Sequence, residues 1–130
     1  MRRVLRAVLA DSVQGAQLSV AVVKDEEIAR LNRQYLGRDG PTDVISFLYG
    51  AQGDYVEGEL VINADEAARQ AQRLAHGPQE ELLLYAVHGV LHLLGYDDAD
   101  PRGRRRMHRR AIQALEAAGC RPDARSLLGQ

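Results

Sequence analysis

Apolar positions recur at helical spacing near the start of the chain. Val4, Leu5, Val8 and Leu9 predict a short amphipathic helix over Arg2 to Ala10. After a turn at Gln14-Gly15 the period changes: Gln17 to Val23 alternates and then runs continuously apolar, which predicts a strand buried at one end. Asp25 is placed to cap the next helix, with Glu26 and Glu27 in its first turn, Ile28, Leu31 and Tyr35 on its buried face and Gly37 as its stop. Gly40-Pro41 signals a turn. Two strands follow, Thr42 to Tyr49 and Glu59 to Asn63, expected to pair antiparallel across a polar loop from Gly50 to Glu57. Asn63 or Asp65 caps a further helix over Ala64 to His76, which Gly77-Pro78 ends.

The most apolar helical stretch comes next, from about Gln79 to Leu94. Leu82, Leu83, Tyr85, Ala86, Val87, Val90, Leu91 and Leu94 cover nearly its whole circumference, and a helix that is apolar all round belongs inside the domain. Asp100-Pro101 opens a last helix, with Met107, Ala111, Ile112 and Leu115 toward the core and Gly119 at its end. The pattern therefore predicts an α+β fold: a small mixed β-sheet covered by helices around a buried central helix. One domain is expected over residues 1–120, followed by a loose tail over 121–130.

Composition narrows the picture without redrawing it. A chain of 130 residues suits one core. A formal charge of −1 argues against a protein that coats nucleic acid indiscriminately, while leaving room for a local basic patch. Arginine supplies almost all the positive charge, with Lys24 the sole lysine; the run Arg102, Arg104, Arg105, Arg106, Arg109, Arg110 is the strongest basic feature. On a helix that run is expected to spread beyond a single stripe, serving either RNA phosphates or a solvated face. A single cysteine, Cys120, excludes an internal disulfide and a cysteine-rich zinc site. Met1 to Asp11 is too charged for a signal peptide, and no stretch approaches 18 uncharged apolar residues, so a cytoplasmic protein with no membrane span is expected.

The candidate chemistry lies at the end of the central helix. His88 and His92 are four residues apart, one turn above each other on one face, and two imidazoles so placed can grip one metal ion. Packing and hydrogen bonding among leucines is the rival role for such a pair. Gly95 can adopt the left-handed conformation that stops the helix, and the turn it makes can swing Asp97 or Asp98 back as a third, oxygen ligand. Three protein ligands leave a position for water, the arrangement of a catalytic site. Metalloproteases of the His-Glu-x-x-His kind use the glutamate as general base; here that place is Gly89, so a protease is disfavoured.

The run His88-Gly89-x-Leu91-His92-Leu93-x-Gly95-Tyr96-Asp97 resembles the signature of the YbeY family, the metal-dependent endoribonucleases of ribosomal-RNA maturation. Leu31-Asn32-x-x-Tyr35 with Asp39 to Phe47, and Gly58 to Ile62, resemble two further blocks of that family in the same order. The resemblance implies a single-strand-specific endoribonuclease acting in 16S ribosomal-RNA 3′-end maturation and ribosome quality control. It implies RNA, and the ribosome or small-subunit proteins, as partners. It also implies one divalent ion, zinc, with manganese or magnesium compatible. Thr42, Ser46 and Glu59 fall in the resembling blocks as residues that can line a cleft.

The chain departs from the family pattern at two positions. Asp98 stands where the signature has a third histidine, and Leu36 where the second block has an arginine. Asp98 is then the expected third ligand after His88 and His92, ahead of His108 on the next helix. A carboxylate there lowers the net charge of the site by one unit, which weakens a bound metal as a Lewis acid. Arg38 and Arg33 are the expected substitutes for the missing arginine at a scissile phosphate. Hydrolysis by water and attack by the RNA 2′-hydroxyl both remain open. The rival function is a ribosome-associated assembly factor that binds but cleaves poorly, because Leu36 and Asp98 weaken the site.

Overall fold

The computed structural model describes residues 1–10, 12–75, 77–96 and 99–117. Along the chain run α1 (Arg2–Ala10), β1 (Gly15–Val23), α2 (Asp25–Leu36), β2 (Val44–Gln52), β3 (Tyr55–Asn63), α3 (Ala64–Leu74), α4 (Pro78–Leu93) and α5 (Pro101–Ala117). The three strands form one sheet in the order β1-β3-β2. β1 runs parallel to β3, and β2 antiparallel to it, which makes the sheet mixed as the pattern predicts.

The sheet has two differently covered faces. Leu60 faces the larger core, which α1, α4 and α5 build from Val4, Leu5, Val8, Leu84, Val87, Val90, Leu91, Met107 and Ala111. Ile62 on the same face packs with Tyr85 and Ala67. Val61 points the other way and meets Ile28 of α2 and Ile45 of β2. The alternation of Leu60, Val61 and Ile62 is thus the period of a strand buried on both sides.

Several boundaries move for identifiable reasons. The expected loop over Gly50 to Glu57 contracts to a two-residue hairpin at Gly53-Asp54, with Gly53 at φ 59°, the conformation a hairpin asks of its first central residue. A register shift between Leu48 and Gly50 marks a bulge at Tyr49. The apolar end of β1 is less covered than expected: Val20 and Val22 are exposed because β1 is an edge strand. Helix α3 stops at Ala75, which takes the left-handed conformation, before Gly77 is reached. Tyr35, expected on the buried face of α2, is 59% exposed, and Asn32 is buried in its stead. In α5, Met107, Ala111 and Leu115 are buried as expected, Ile112 only partly. The expected Gly119 stop and the tail over 121–130 lie outside the described residues.

The arginine run spreads around α5 as expected, and most of it faces solvent. Gly103, Met107, Ala111 and Ala114 form the buried side of α5. Arg102, Arg105, Arg106 and Arg109 fall within one arc on the opposite side, and all are exposed. Arg2, Arg3 and Arg6 are likewise exposed on α1, which packs beside α5.

Asn63 and Asp25 tie the layers together. Asn63 is fully buried; its side-chain oxygen accepts from the Asp65 and Glu66 N–H groups, capping α3 as expected. Its amide donates to Asp25 Oδ1 at 2.8 Å and to the Thr42 carbonyl at 3.1 Å, which spends all of its bonding capacity. Asp25 itself is not the cap of α2 but its first residue, preceded by an extended Lys24. The Arg69 guanidinium binds the Asp25 carboxylate in a fork at 2.7 and 2.8 Å, and the Asp25 N–H donates to Asp65 Oδ2 at 3.0 Å. Arg69, and then Asn63, hold the Asp25 carboxyl down at about 2.

A carboxyl held below its unfolded value stabilises the fold above the unfolded pKa of about 3.9 and loses that contribution as pH falls through the folded one. The pH window here therefore runs from about 4 down to about 2. NMR titration of Asp25 is expected to give a midpoint near 2, and Arg69→Ala to move it up toward the ordinary aspartate range.

Candidate functional site

Helix α4 is where the sequence expectations converge. Glu81, Leu84, Tyr85, Ala86, Val87, Gly89, Val90, Leu91 and Leu93 are all buried, so the helix is held from nearly every side. His88 is partly buried and His92 is exposed in its last turn. Both lie on one stripe, directly beside the stripe of Gly89 and Leu93 that presses on the sheet.

That approach is unusually close. A Cβ added at Gly89 would lie 2.7 Å from Leu60 Cδ2 and 3.1 Å from both Ser46 Oγ and Val44 Cγ2. One at Gly58, across on β3, would lie 2.9 Å from Leu93 Cδ1. The Ser46 hydroxyl donates to the Gly89 carbonyl at 3.0 Å, stitching β2 to the helix between the two histidines. The residue after the first histidine therefore points into the sheet, where no glutamate side chain fits. The missing protease base is a packing requirement as well as a sequence fact.

The helix ends as the sequence implies. Gly95 takes φ 95°, its N–H donates to the His92 carbonyl, and the Tyr96 N–H donates back to the Leu91 carbonyl at 3.0 Å. This paired closure turns the chain sharply away from the helix axis straight after His92, and Tyr96 packs against the core beside it. Asp100 then caps α5, accepting from the Gly103 N–H at 2.6 Å.

Asp97 and Asp98, the expected oxygen donors, lie outside the described residues. Among the described residues no group of three His, Cys, Asp or Glu side chains comes together to hold a metal ion. The donors that are described suit a divalent ion: a same-face imidazole pair on a rigid helix, one ring reaching solvent, followed by a turn leading into two carboxylates in sequence. His108 is partly buried on α5.

The arginines stand at the far end of α2. Gly37 closes that helix at φ 64°, with its N–H on the Arg33 carbonyl. Asn32 Nδ2 donates to the Gly40 carbonyl at 3.0 Å and fastens the loop that carries Arg38. Arg38 is exposed, as is Leu36. Arg33 Nη1 lies 3.4 Å from Asp39 Oδ1, a surface pair of small energetic weight. Thr42 donates to Asp43 Oδ1, which also accepts the Val44 N–H, so this pair forms a turn at the head of β2. Glu59 accepts from the Tyr49 hydroxyl.

Pattern reading places Tyr85 inside the domain but misses its buried partner Glu81. Glu81 and Tyr85, one turn apart on α4, are both fully buried. Burial, and then the Glu81 carboxylate, push the Tyr85 hydroxyl well above the ordinary tyrosine range. Burial also raises Asp43. A glutamate inside an otherwise apolar helix is the available signal, but its flanking polar residues make it read as solvent-facing.

Because the packing at Gly89 fixes where both histidines sit, Gly89→Ala is expected to destabilise the fold by about 1–3 kcal/mol through overpacking. Urea denaturation measures this, and a neutral result would mean that Leu60 can yield.

Comparison with known proteins gives a consistent result. A family model described as Endoribonuclease YbeY matches residues 1–119. A relative named Endoribonuclease YbeY from Rhodopirellula baltica is 42% identical over 118 residues, covering 87% of this chain and 61% of the relative. The protein of that name from Chlorobium phaeovibrioides is 46% identical over 90 residues, 69% of this chain and 60% of the relative. The one from Bacillus subtilis is 37% identical over 115 residues, 80% of this chain and 73% of the relative. The chain thus spans about three fifths of the length of the first two. The solution structure of TM1509 from Thermotoga maritima superposes with a TM-score of 0.63 at 24% identity, covering 98% of this chain and 79% of that one, and shows the same fold.

Proposed function

The chain belongs to the YbeY endoribonuclease family, and we propose that it is itself a metal-dependent, single-strand-specific endoribonuclease. In this reading its substrate is the 3′ end of 16S ribosomal RNA or its precursor. It works in the cytoplasm, in company with the ribosome or small-subunit proteins, and serves ribosome quality control. The observation that carries the reading is the fixed pair His88 and His92, on a helix locked to the sheet through Gly89 and closed by Gly95. No described helix is long and apolar enough to cross a membrane.

His88 and His92 would hold the ion through neutral imidazole nitrogens, with Asp98 as the third donor. Zinc suits two imidazoles and a carboxylate, and the carboxylate makes manganese or magnesium acceptable as well. When bound, such an ion supplies Lewis acidity and a water of lowered pKa. The chain's own residues do the rest. The buried helix holds the imidazoles in place without help from the substrate. Arg38 carries charge to the scissile phosphate; Arg33, paired with Asp39, is the second candidate. The exposed arginines of α5 meet phosphates farther along the RNA.

A second reading has one observation in its favour: Leu36 is exposed where the family signature carries an arginine. On that reading the chain assists assembly and cleaves poorly.

Cleavage of a structured ribosomal-RNA fragment, with and without added zinc, separates the two. The nuclease reading expects metal-dependent cutting in unpaired segments, abolished by His88→Ala or His92→Ala together with bound metal by elemental analysis. Asp98→His is expected to increase cleavage, and an unchanged rate and metal affinity would count against Asp98 as a ligand. Replacing Arg105 and Arg109 by alanine should lower the log–log salt slope of RNA binding by about 0.7 for each phosphate that is no longer neutralised.

A further inference from the structure

The chain has only five tyrosines and one phenylalanine. Three of these six rings stand in one row on the α2 side of the sheet, and two of the three are open to solvent. Tyr35 meets Phe47 edge to face, with centroids 5.4 Å apart and planes at 80°. The Phe47 and Tyr49 rings are parallel to within 5°, with centroids 6.4 Å apart. Tyr35 is 59% and Tyr49 63% exposed, and the exposed Leu36 follows Tyr35 on α2. Strand alternation puts Tyr49 on the side of Phe47, and its hydroxyl donates to Glu59 Oε1 at 2.7 Å. The ring is therefore held at its rim and leaves its face free.

We propose that the row Tyr35–Phe47–Tyr49 is a stacking platform for unpaired bases of RNA, which feeds the strand to the histidine pair. The proposal rests on the nuclease reading above and names the part of the substrate that the protein grips. Aromatic faces accept any base, so such a platform favours single strands over duplexes without selecting sequence. The 6.4 Å separation of the parallel rings is about twice the ~3.4 Å rise per nucleotide of a stacked strand, so neighbouring bases can use different rings. Exposed Arg38 follows Tyr35 just past the end of α2 and complements the phosphates that accompany those bases. Leu36, next to Tyr35, then offers an apolar surface to a base where an arginine would grip a phosphate.

The platform and the histidines share strand β2. On one face β2 presents Phe47 and Tyr49; on the other, Val44 and Ser46 touch Gly89. The Phe47 carbonyl and the Leu93 side chain crowd the same point over Gly58, and Leu93 directly follows His92. Because β2 is an edge strand, an RNA strand can cross its rim from the rings toward α4.

Fluorescence anisotropy with a short labelled 2′-O-methyl RNA, in EDTA so that cleavage is absent, tests this. Tyr35→Ala and Tyr49→Ala are each expected to weaken binding about 10-fold while leaving the log–log salt slope unchanged, because the phosphate interactions survive. Tyr49→Phe should bind like the wild type. Tyr49→Leu, which keeps apolar bulk but no aromatic face, should weaken binding as much as alanine does and serves if the alanine variant unfolds. An abasic strand of equal length should bind the wild type as weakly as the double variant binds the intact strand. Equal affinity of wild type and double variant, or of intact and abasic strands, overturns the platform. So does a wild-type dimer in sedimentation that Tyr49→Ala dissolves, since the row would then be a self-association surface. Cleavage by the wild type is scored separately with zinc. Cleavage with unaltered binding by the variants refutes the platform alone, whereas a wild type that neither binds nor cuts RNA refutes the nuclease reading and the platform with it.

Discussion

The closeness of α4 to the sheet is the constraint on which the rest depends. Two glycines, Gly58 on β3 and Gly89 on α4, remove the side chains that would hold helix and sheet apart, and Leu60 and Leu93 fill the space so released. Tight packing in a protein interior makes such an approach nearly all-or-none, since there is little void into which a methyl group could be moved. With the backbone brought this near, the Ser46 hydroxyl reaches the Gly89 carbonyl and fixes the helix against sliding along β2. His88 and His92 then have defined positions because the residues beside them do.

The same packing decides which chemistry the helix can support. In a His-x-x-x-His pair the residue after the first histidine lies on the neighbouring stripe. Here that stripe is the one that enters the sheet. A general base at that position is sterically excluded. The Gly95 closure ends α4, the Asp100 cap begins α5, and the Asn32 bond to the Gly40 carbonyl fastens the loop after α2.

Charge is distributed unevenly. The helices α1 and α5 contain nine arginines against the single carboxylate Glu116, although the whole chain is nearly neutral. Carboxylates gather instead about the junction of α2, α3 and the head of α4, where Arg69 neutralises Asp25, Asn63 donates to it, Glu81 is buried and Asp43 is partly buried. A protein of small net charge can therefore offer a basic surface, because its acidic groups lie mostly outside those two helices.

Much of this was legible in the chain itself. Local rules sufficed for α1, the Asn63 cap, the proline start of α5, the Gly37 and Gly95 stops and the all-round apolar character of α4, because each depends on the conformation or solvation of a few neighbouring residues. The ordered blocks of motif sufficed for the family. What needed the tertiary structure was everything set by partners distant in sequence. Asp25 looked like a cap and became a clasp because Arg69 and Asn63 arrive from 44 and 38 residues away. Tyr35 looked buried by its spacing, yet its ring lies at the surface, edge to face with Phe47. Four of the six arginines of α5, Arg102, Arg105, Arg106 and Arg109, prove to lie opposite its buried face only once that face is known. Sequence period tells which residues share a face; which face meets water is decided by what the rest of the chain brings against it.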